Sequence, residues 1–266
     1  MAAVVTELVK LAETDAHEGP VYVAHENALY FTTVPRPGPR TSIKRLDLAT
    51  RRLTVVREDA NMANGMTLDR EGRLVVCEQG GFDRPTRVSR NGETVVDGLN
   101  SPNDVVVARD GSIWFTDPSY GWLQGFRPPP ERPDAVYRFD RDGLHVVTSS
   151  PDKPNGLAFS PDERTLYVGD SSDRREVIAF DLATGAERPF ATDIAGYPDG
   201  LKVDAEGRVY VSSAEGVLVF DPSGAQVGEI PLPGAVNFTF GGPGRNVLFI
   251  TADTAVWAAS LDSKGA

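Results

Sequence analysis

The stretch Asn155-GLAFSPDERTLYVGD, ending at Asp170, holds a short apolar strand, a turn of Ser, Pro and Asp, and a second strand of aromatic and β-branched residues. Short apolar runs bounded by turn formers are the pattern of antiparallel strands, not of helix. Val177-IAFDLATGAERPF follows with two more strands, so four stand in succession. The unit recurs on both sides, as Glu18-GPVYVAHENALYFTT, Asn64-GMTLDREGRLVVCE, Asn103-DVVVARDGSIWFTD, Asp199-GLKVDAEGRVYVSS and Asn237-FTFGGPGRNVLFITAD. Its starts lie 46, 39, 52, 44 and 38 residues apart. Third and fourth strands also appear in Ile43-KRLDLATRRLTVV, Ala135-VYRFDRDGLHVV and Val217-LVFDPSGAQVGEI. A period of about 40–50 residues with four strands per unit is that of a propeller blade. The expected fold is therefore all-β, a six-bladed β-propeller of four-stranded antiparallel blades in one domain over residues 1–266. A sandwich of evenly spaced strands competes, but six aligned units argue against it.

The last unit supplies three strands, the third at Val256-WAAS, and Val4-VTELVKLA at the other end of the chain is the candidate fourth. Pairing the two ends would close the ring and remove an open edge. The same segment also fits an amphipathic helix with Val5, Leu8, Val9 and Ala12 on one face. Two Pro-rich loops, Pro35–Thr41 and Ser119–Asp134, follow second strands and carry Arg36, Arg40, Arg127 and Arg132. In a propeller they rise from the face where the innermost strands begin. Loops of this length inside a repeat are commonly functional.

Composition narrows the function. The 266 residues are 40% apolar and 24% charged, enough to bury a full core. No apolar run reaches the roughly 18 residues of a membrane span, and the first residues lack a signal-peptide pattern, so a cytoplasmic protein is expected. The single Cys77 excludes a disulfide framework and a multi-thiolate zinc site. A net charge of -11 argues against nucleic acid and leaves small molecules, cations or protein partners. Monomer and small homo-oligomer both stay open.

The residues opening the six units are Glu18, Asn64, Asn103, Asn155, Asp199 and Asn237. First strands line a propeller's channel, so these side chains converge near one axial point. Six oxygen-bearing groups, without Lys, Arg, His or Cys, suit a hard divalent cation and count against zinc. Asn-Gly and Asp-Gly are also ordinary turn dipeptides, yet Glu18, Asn103 and Asn237 share the register without that explanation. Thr33, Glu78, Asp117, Asp170, Ser213 and Asp253 end the second strands on the same face, where they could orient the ring or touch substrate. His17 is a candidate for proton transfer, although a lone His is more often structural. Cys77 reads as a small buried thiol.

Taken with Leu99-NSPNDVVVARDGSIWFTDPSYG, Lys153-PNGLAFSPDERTLYVGD and Pro198-DGLKVDAEGRVYVSS, these segments resemble the gluconolactonase and senescence-marker-protein (regucalcin-like) family of calcium-dependent lactonases, bacterial branch. The resemblance covers nearly the whole chain. It implies one divalent cation, Ca²⁺ first with Mg²⁺, Mn²⁺ or Zn²⁺ as alternatives, on Glu18, Asn155 and Asp199, with Asn103 at or beside the metal. Asp199 and Asn103 become the catalytic candidates, Asp199 also transferring the proton. Apart from the resemblance, Asn64, Ser101, Asp117, Tyr120, Trp122, Arg127 and His17 are the candidate substrate contacts, Tyr120, Trp122 and Arg127 as parts of a lid in the long third-blade loop. Animal members carry an arginine where this chain has Ser101, and bacterial members often read Cys-Glu-His-Gly where it has Cys77-Glu78-Gln79-Gly80, so glucono-lactone is not fixed as the substrate. The implied reaction is opening of a lactone to a hydroxy acid. Competing readings are a phosphotriesterase or other esterase on the same site, and a propeller that only binds a partner.

Overall fold

The computed structural model describes residues 5–266, without the side chain of Thr6. It contains six four-stranded antiparallel sheets, each built from strands consecutive in the chain apart from the last. Blade 4, for example, runs Pro154–Phe159, Thr165–Asp170, Glu176–Asp181 and Glu187–Ala191. The first strands of successive blades touch one another in a closed ring, so they line the axis. The sixth sheet combines Asn237–Gly241, Val247–Thr251 and Asp253–Leu261 with the amino-terminal strand Val5–Ala16. Leu8 stands opposite Ala259 and Lys10 opposite Trp257. The closing segment is thus a strand and not the helix its spacing also allowed, because an unpaired edge was waiting for it. Val4, its expected first residue, lies outside the described residues.

Six apolar clusters fill the six interfaces between blades. The interface of blades 4 and 5 is typical, packing Tyr167, Val177 and Phe190 against Leu201, Val209, Val211 and Phe220. Successive residues of one strand serve opposite interfaces, as the pleat requires. Val75 and Cys77 of the second strand of blade 2 face blade 3, whereas Val76 faces blade 1. Both faces of a blade are therefore covered, which is why second strands read as unbroken apolar runs. Cys77 is fully buried there, and burial holds its thiol well above the usual range. Among the described residues no helix is long and apolar enough to cross a membrane. The α-helix Tyr120–Leu123 is a single turn in the long loop of blade 3.

Candidate metal and catalytic site

Register and glycine together bring the ring residues to one end of the channel. Asn64 and Asn155 are the second residues of the inner strands Ala63–Leu68 and Pro154–Phe159, and Asp199 stands two residues before Leu201–Val203. The Asn-Gly pairs are hence inside strands and not at turns. Each glycine lets one inner strand press against the next. Gly65 N donates to Asn103 O (2.7 Å), Gly156 N to Asp199 O (2.9 Å) and Gly200 N to Val236 O (3.0 Å). A Cβ at Gly156 would stand 2.1 Å from Asp199 O, and one at Gly65 2.4 Å from Asn103 O. Only glycine permits this approach, and the approach fixes the backbone that carries each ligand candidate.

The side chains are oriented by hydrogen bonds to neighbouring residues. Asn155 Nδ2 donates to Ser171 Oγ (3.0 Å) and lies 3.5 Å from the Tyr120 hydroxyl, which turns its carbonyl oxygen the other way. Asn237 does not join the ring as an oxygen donor. Its Nδ2 donates to Glu18 Oε2 (2.7 Å), which also accepts Gly19 N (3.1 Å), while its own oxygen accepts Phe238 N. Asn237 therefore positions Glu18, which is 2% exposed.

Among the described residues six buried side-chain oxygens are left without a hydrogen-bond donor: Asn61 Oδ1 in blade 2, Asp104 Oδ2, and, on the residues that open the blades, Oδ1 of Asn64, Asn103, Asn155 and Asp199. An unsatisfied buried acceptor costs about 1–3 kcal/mol, and the four on the residues that open the blades are oxygens a cation could satisfy. Amide and carboxylate oxygens are the donors Ca²⁺ takes. Among the described residues no three His, Cys, Asp or Glu side chains gather for a metal, so this donor set owes its oxygens to amides as much as to acids. Electrostatics agree. Burial, then the Glu18 and Asp104 carboxylates, hold Asp199 well above the usual carboxylate range. A divalent charge would relieve that repulsion.

Asp104 was not anticipated. It occupies the position that glycine holds in blades 1, 2, 4 and 5, and it is 2% exposed. Burial raises its carboxyl, Lys202 opposes this, and Glu18 adds to it. Lys202 Nζ lies 3.8 Å from its Oδ2. The break in the glycine pattern was the available signal.

The acids ending the second strands brace the loops that deliver the ring. Asp117 accepts Asn100 N and Ser101 N (both 2.8 Å), just ahead of Asn103. Burial pushes its carboxyl up to about 7 against those two donors. Asp170 accepts Asp152 N (2.9 Å) and Lys153 N (3.0 Å), just ahead of Asn155. Glu78, fully buried, holds Arg57, Arg87, Ser89 and Asn61. Ser101 is also enclosed, its Oγ donating to Pro118 O (2.6 Å) and accepting Gly121 N (2.9 Å). Ser101 and Asp117 thus contact backbone, and they reach the site only through the loops they hold.

The remaining candidates lie at the mouth. Tyr120 covers Asn155, and burial raises its hydroxyl. Trp122 is exposed. Arg127 ties the long loop to blade 2 through Gly81 O (2.5 Å) and Arg84 O (3.2 Å). His17 Nδ1 meets Asp253 Oδ1 at 2.6 Å beside Glu18. Burial disfavours the charged ring, but the Asp253 bond and the Glu18 charge outweigh it and raise its pKa.

The chain is similar to known proteins. The chain is 30% identical to a gluconolactonase of Zymomonas mobilis over 88% of its own length and 75% of the relative's. It is 27% identical to regucalcin of Xenopus laevis, covering 94% of this chain and 85% of that protein. The solved structure of a gluconolactonase from Xanthomonas campestris superposes with a TM-score of 0.82 at 36% identity, over 98% of this chain and 95% of that one. The family profile of the SMP-30/Gluconolactonase/LRE-like region matches residues 16–254, a span that contains every ring residue, and the chain belongs to that family.

Proposed function

We propose that the protein opens lactone rings to hydroxy acids with one divalent cation, Ca²⁺, held by Glu18, Asn155 and Asp199 with Asn103 assisting. The observation that carries this reading is the set of donorless oxygens on Asn64, Asn103, Asn155 and Asp199 beside the buried carboxylates of Glu18 and Asp104. When bound, the cation supplies positive charge that polarises the ring carbonyl and stabilises the developing oxyanion. Asp199 is the base. As a ligand of the cation it would be a weak base, so it can take the proton only from a water that the cation also makes more acidic, and it then gives that proton back. The water oxygen bonds to the carbonyl carbon, the ring C–O bond breaks, and the proton on Asp199 passes to the ring oxygen. Glu18, fixed by Asn237, and Asn155, fixed by Ser171, keep their oxygens aimed without rearrangement.

Asp199→Asn tests the assignment because it keeps shape and an oxygen while removing the base. It is expected to bind Ca²⁺ measurably and to lose at least about 100-fold in kcat, the usual worth of a positioned base. Parallel assays with glucono-δ-lactone and a phosphotriester separate the lactonase from a hydrolase of another ester class. Full turnover in a chelated, metal-free sample, or wild-type kcat in Asp199→Asn, would overturn the reading.

A further inference from the structure

We infer that the lactones turned over here carry an apolar substituent, received by a wall of Trp122, Leu123 and Tyr197 beside the ring; this rests on the lactonase reading above. Among the described residues the large apolar side chains left exposed are Val9, Val55, Val56 and Val146 on outermost strands, and Phe82, Trp122, Leu123 and Tyr197 in loops at the channel mouth. Leu123 is 56% exposed, Tyr197 59% and Trp122 47%. Apolar groups gathered on one functional face mark a binding surface, whereas single ones elsewhere need no explanation.

Hydrogen bonds place this wall against the site. Tyr197 stands two residues before Asp199, and the carbonyl of the intervening Pro198 accepts Ser171 Oγ. Ser171 in turn accepts Asn155 Nδ2, which lies 3.5 Å from the hydroxyl of Tyr120, the first residue of the helix bearing Trp122 and Leu123. The chain of contacts from the Tyr197 segment to the helix therefore runs through Asn155. The helix is a firm platform. Ser101 Oγ accepts Gly121 N, and Gly121 is packed so closely that a Cβ would stand 2.3 Å from Arg127 Cγ. Across the mouth, blades 6 and 1 present the His17–Asp253 pair. Blades 3 and 5 add exposed apolar side chains beside the Lys153–Asp134 ion pair, so a ring seated at Asp199 can lay an alkyl group toward blades 3 to 5.

The test is a series from γ-butyrolactone through γ-hexalactone to γ-nonalactone, with glucono-δ-lactone alongside, on wild type and on the double variant Leu123→Ser, Tyr197→Ser. A fully buried methylene is worth about fourfold, and one lying on an open wall about twofold. The kcat/KM of the wild type should therefore climb at least tenfold from γ-butyrolactone to γ-nonalactone and exceed that for glucono-δ-lactone. The double variant should lower the nonalactone-to-butyrolactone ratio at least fivefold with an unchanged melting temperature. A flat wild-type series, or the same ratio in the variant, overturns the proposal. A flat series with a concentration-dependent dimer that the variant abolishes assigns the wall to a second copy instead, and also overturns it. If no lactone is turned over, the lactonase reading fails separately. Calorimetry then decides the wall: tenfold tighter binding of γ-nonalactone than of γ-butyrolactone, lost in the variant, supports it, and equal binding overturns it.

Discussion

Replacing Gly156 by alanine should damage fold and site together. The added Cβ would meet Asp199 O at 2.1 Å, Leu201 N at 2.8 Å and Gly200 C at 3.1 Å, where ordinary contact begins near 3.4 Å. All three are backbone atoms and cannot swing aside. The inner strands of blades 4 and 5 must part by about an ångström, which breaks the 2.9 Å bond from Gly156 N to Asp199 O. Overpacking of this kind costs about 1–3 kcal/mol, and the lost bond about 0.5–1.5 kcal/mol. Alanine recovers about 0.5–1 kcal/mol over glycine in a strand interior. The net loss is about 2 kcal/mol, or a fall in Tm of roughly 4–8 °C. Asp199 must retreat from Asn155 as the strands part, so Ca²⁺ affinity should drop about tenfold in the same variant (~1.4 kcal/mol). Gly169→Ala is the control, since its Cβ would find Pro198 O at 3.4 Å, an ordinary contact. Scanning calorimetry and Ca²⁺ titration read both effects. Wild-type Tm and Ca²⁺ affinity in Gly156→Ala would refute the idea that glycine is there to bring the ligands together.

Two further outcomes follow from charge. Because Asp199 is raised above its ordinary 3.8, the metal-free fold binds more protons than the unfolded chain and loses stability as pH rises from about 4 through the raised value; Ca²⁺ must expel that proton, so affinity should climb over the same window, with proton release in calorimetry run in two buffers, and a pH-independent affinity would contradict this. Lys202→Met removes the ammonium 3.8 Å from Asp104, leaves an uncompensated negative charge near the site, and should tighten Ca²⁺ binding about tenfold while lowering the metal-free Tm, a modest effect for a unit charge at an effective dielectric near 20; unchanged affinity on titration would separate Asp104 from the metal's field.

The blades were legible because burial on both faces and tight turns leave a regular mark: Leu74-Val75-Val76-Cys77 can be continuous only where two neighbours cover it. The closing strand was half legible. Val5, Leu8, Val9 and Ala12 satisfy a helical spacing as well, and only the pairing of Val5–Ala16 with Asp253–Leu261 decides between the two. The ring positions followed from register, but not what each side chain does there. Whether an asparagine turns its oxygen or its nitrogen to the axis depends on its partner. For Asn155 those partners are Ser171 and Tyr120, from two different blades. For Asn237 the partner is Glu18, at the far end of the chain. Asp117 and Ser101 share the face of the ring, and only their backbone partners reveal that they brace its loops.

The site also bears on how the ring is closed. Glu18 begins blade 1, whereas Asn237, which fixes it, begins blade 6. Thr251 Oγ1 sits between the two, 2.6 Å from His17 O and 3.0 Å from Asn237 O. Blade 6 is itself incomplete without the amino-terminal strand that leads straight into His17 and Glu18. The carboxylate that would balance half of a divalent charge is therefore set by the contact that joins the two ends of the chain. A cation drawing Glu18 and Asp199 together would pull blade 1 toward blade 5 across blade 6, in the sense that tightens the closure. Any ligand that binds only the closed ring stabilises it by mass action. Under the proposed metal site, affinity and closure would be linked for that reason, and the donorless oxygens of Asn64, Asn103, Asn155 and Asp199, costly while no cation satisfies them, would strengthen the link.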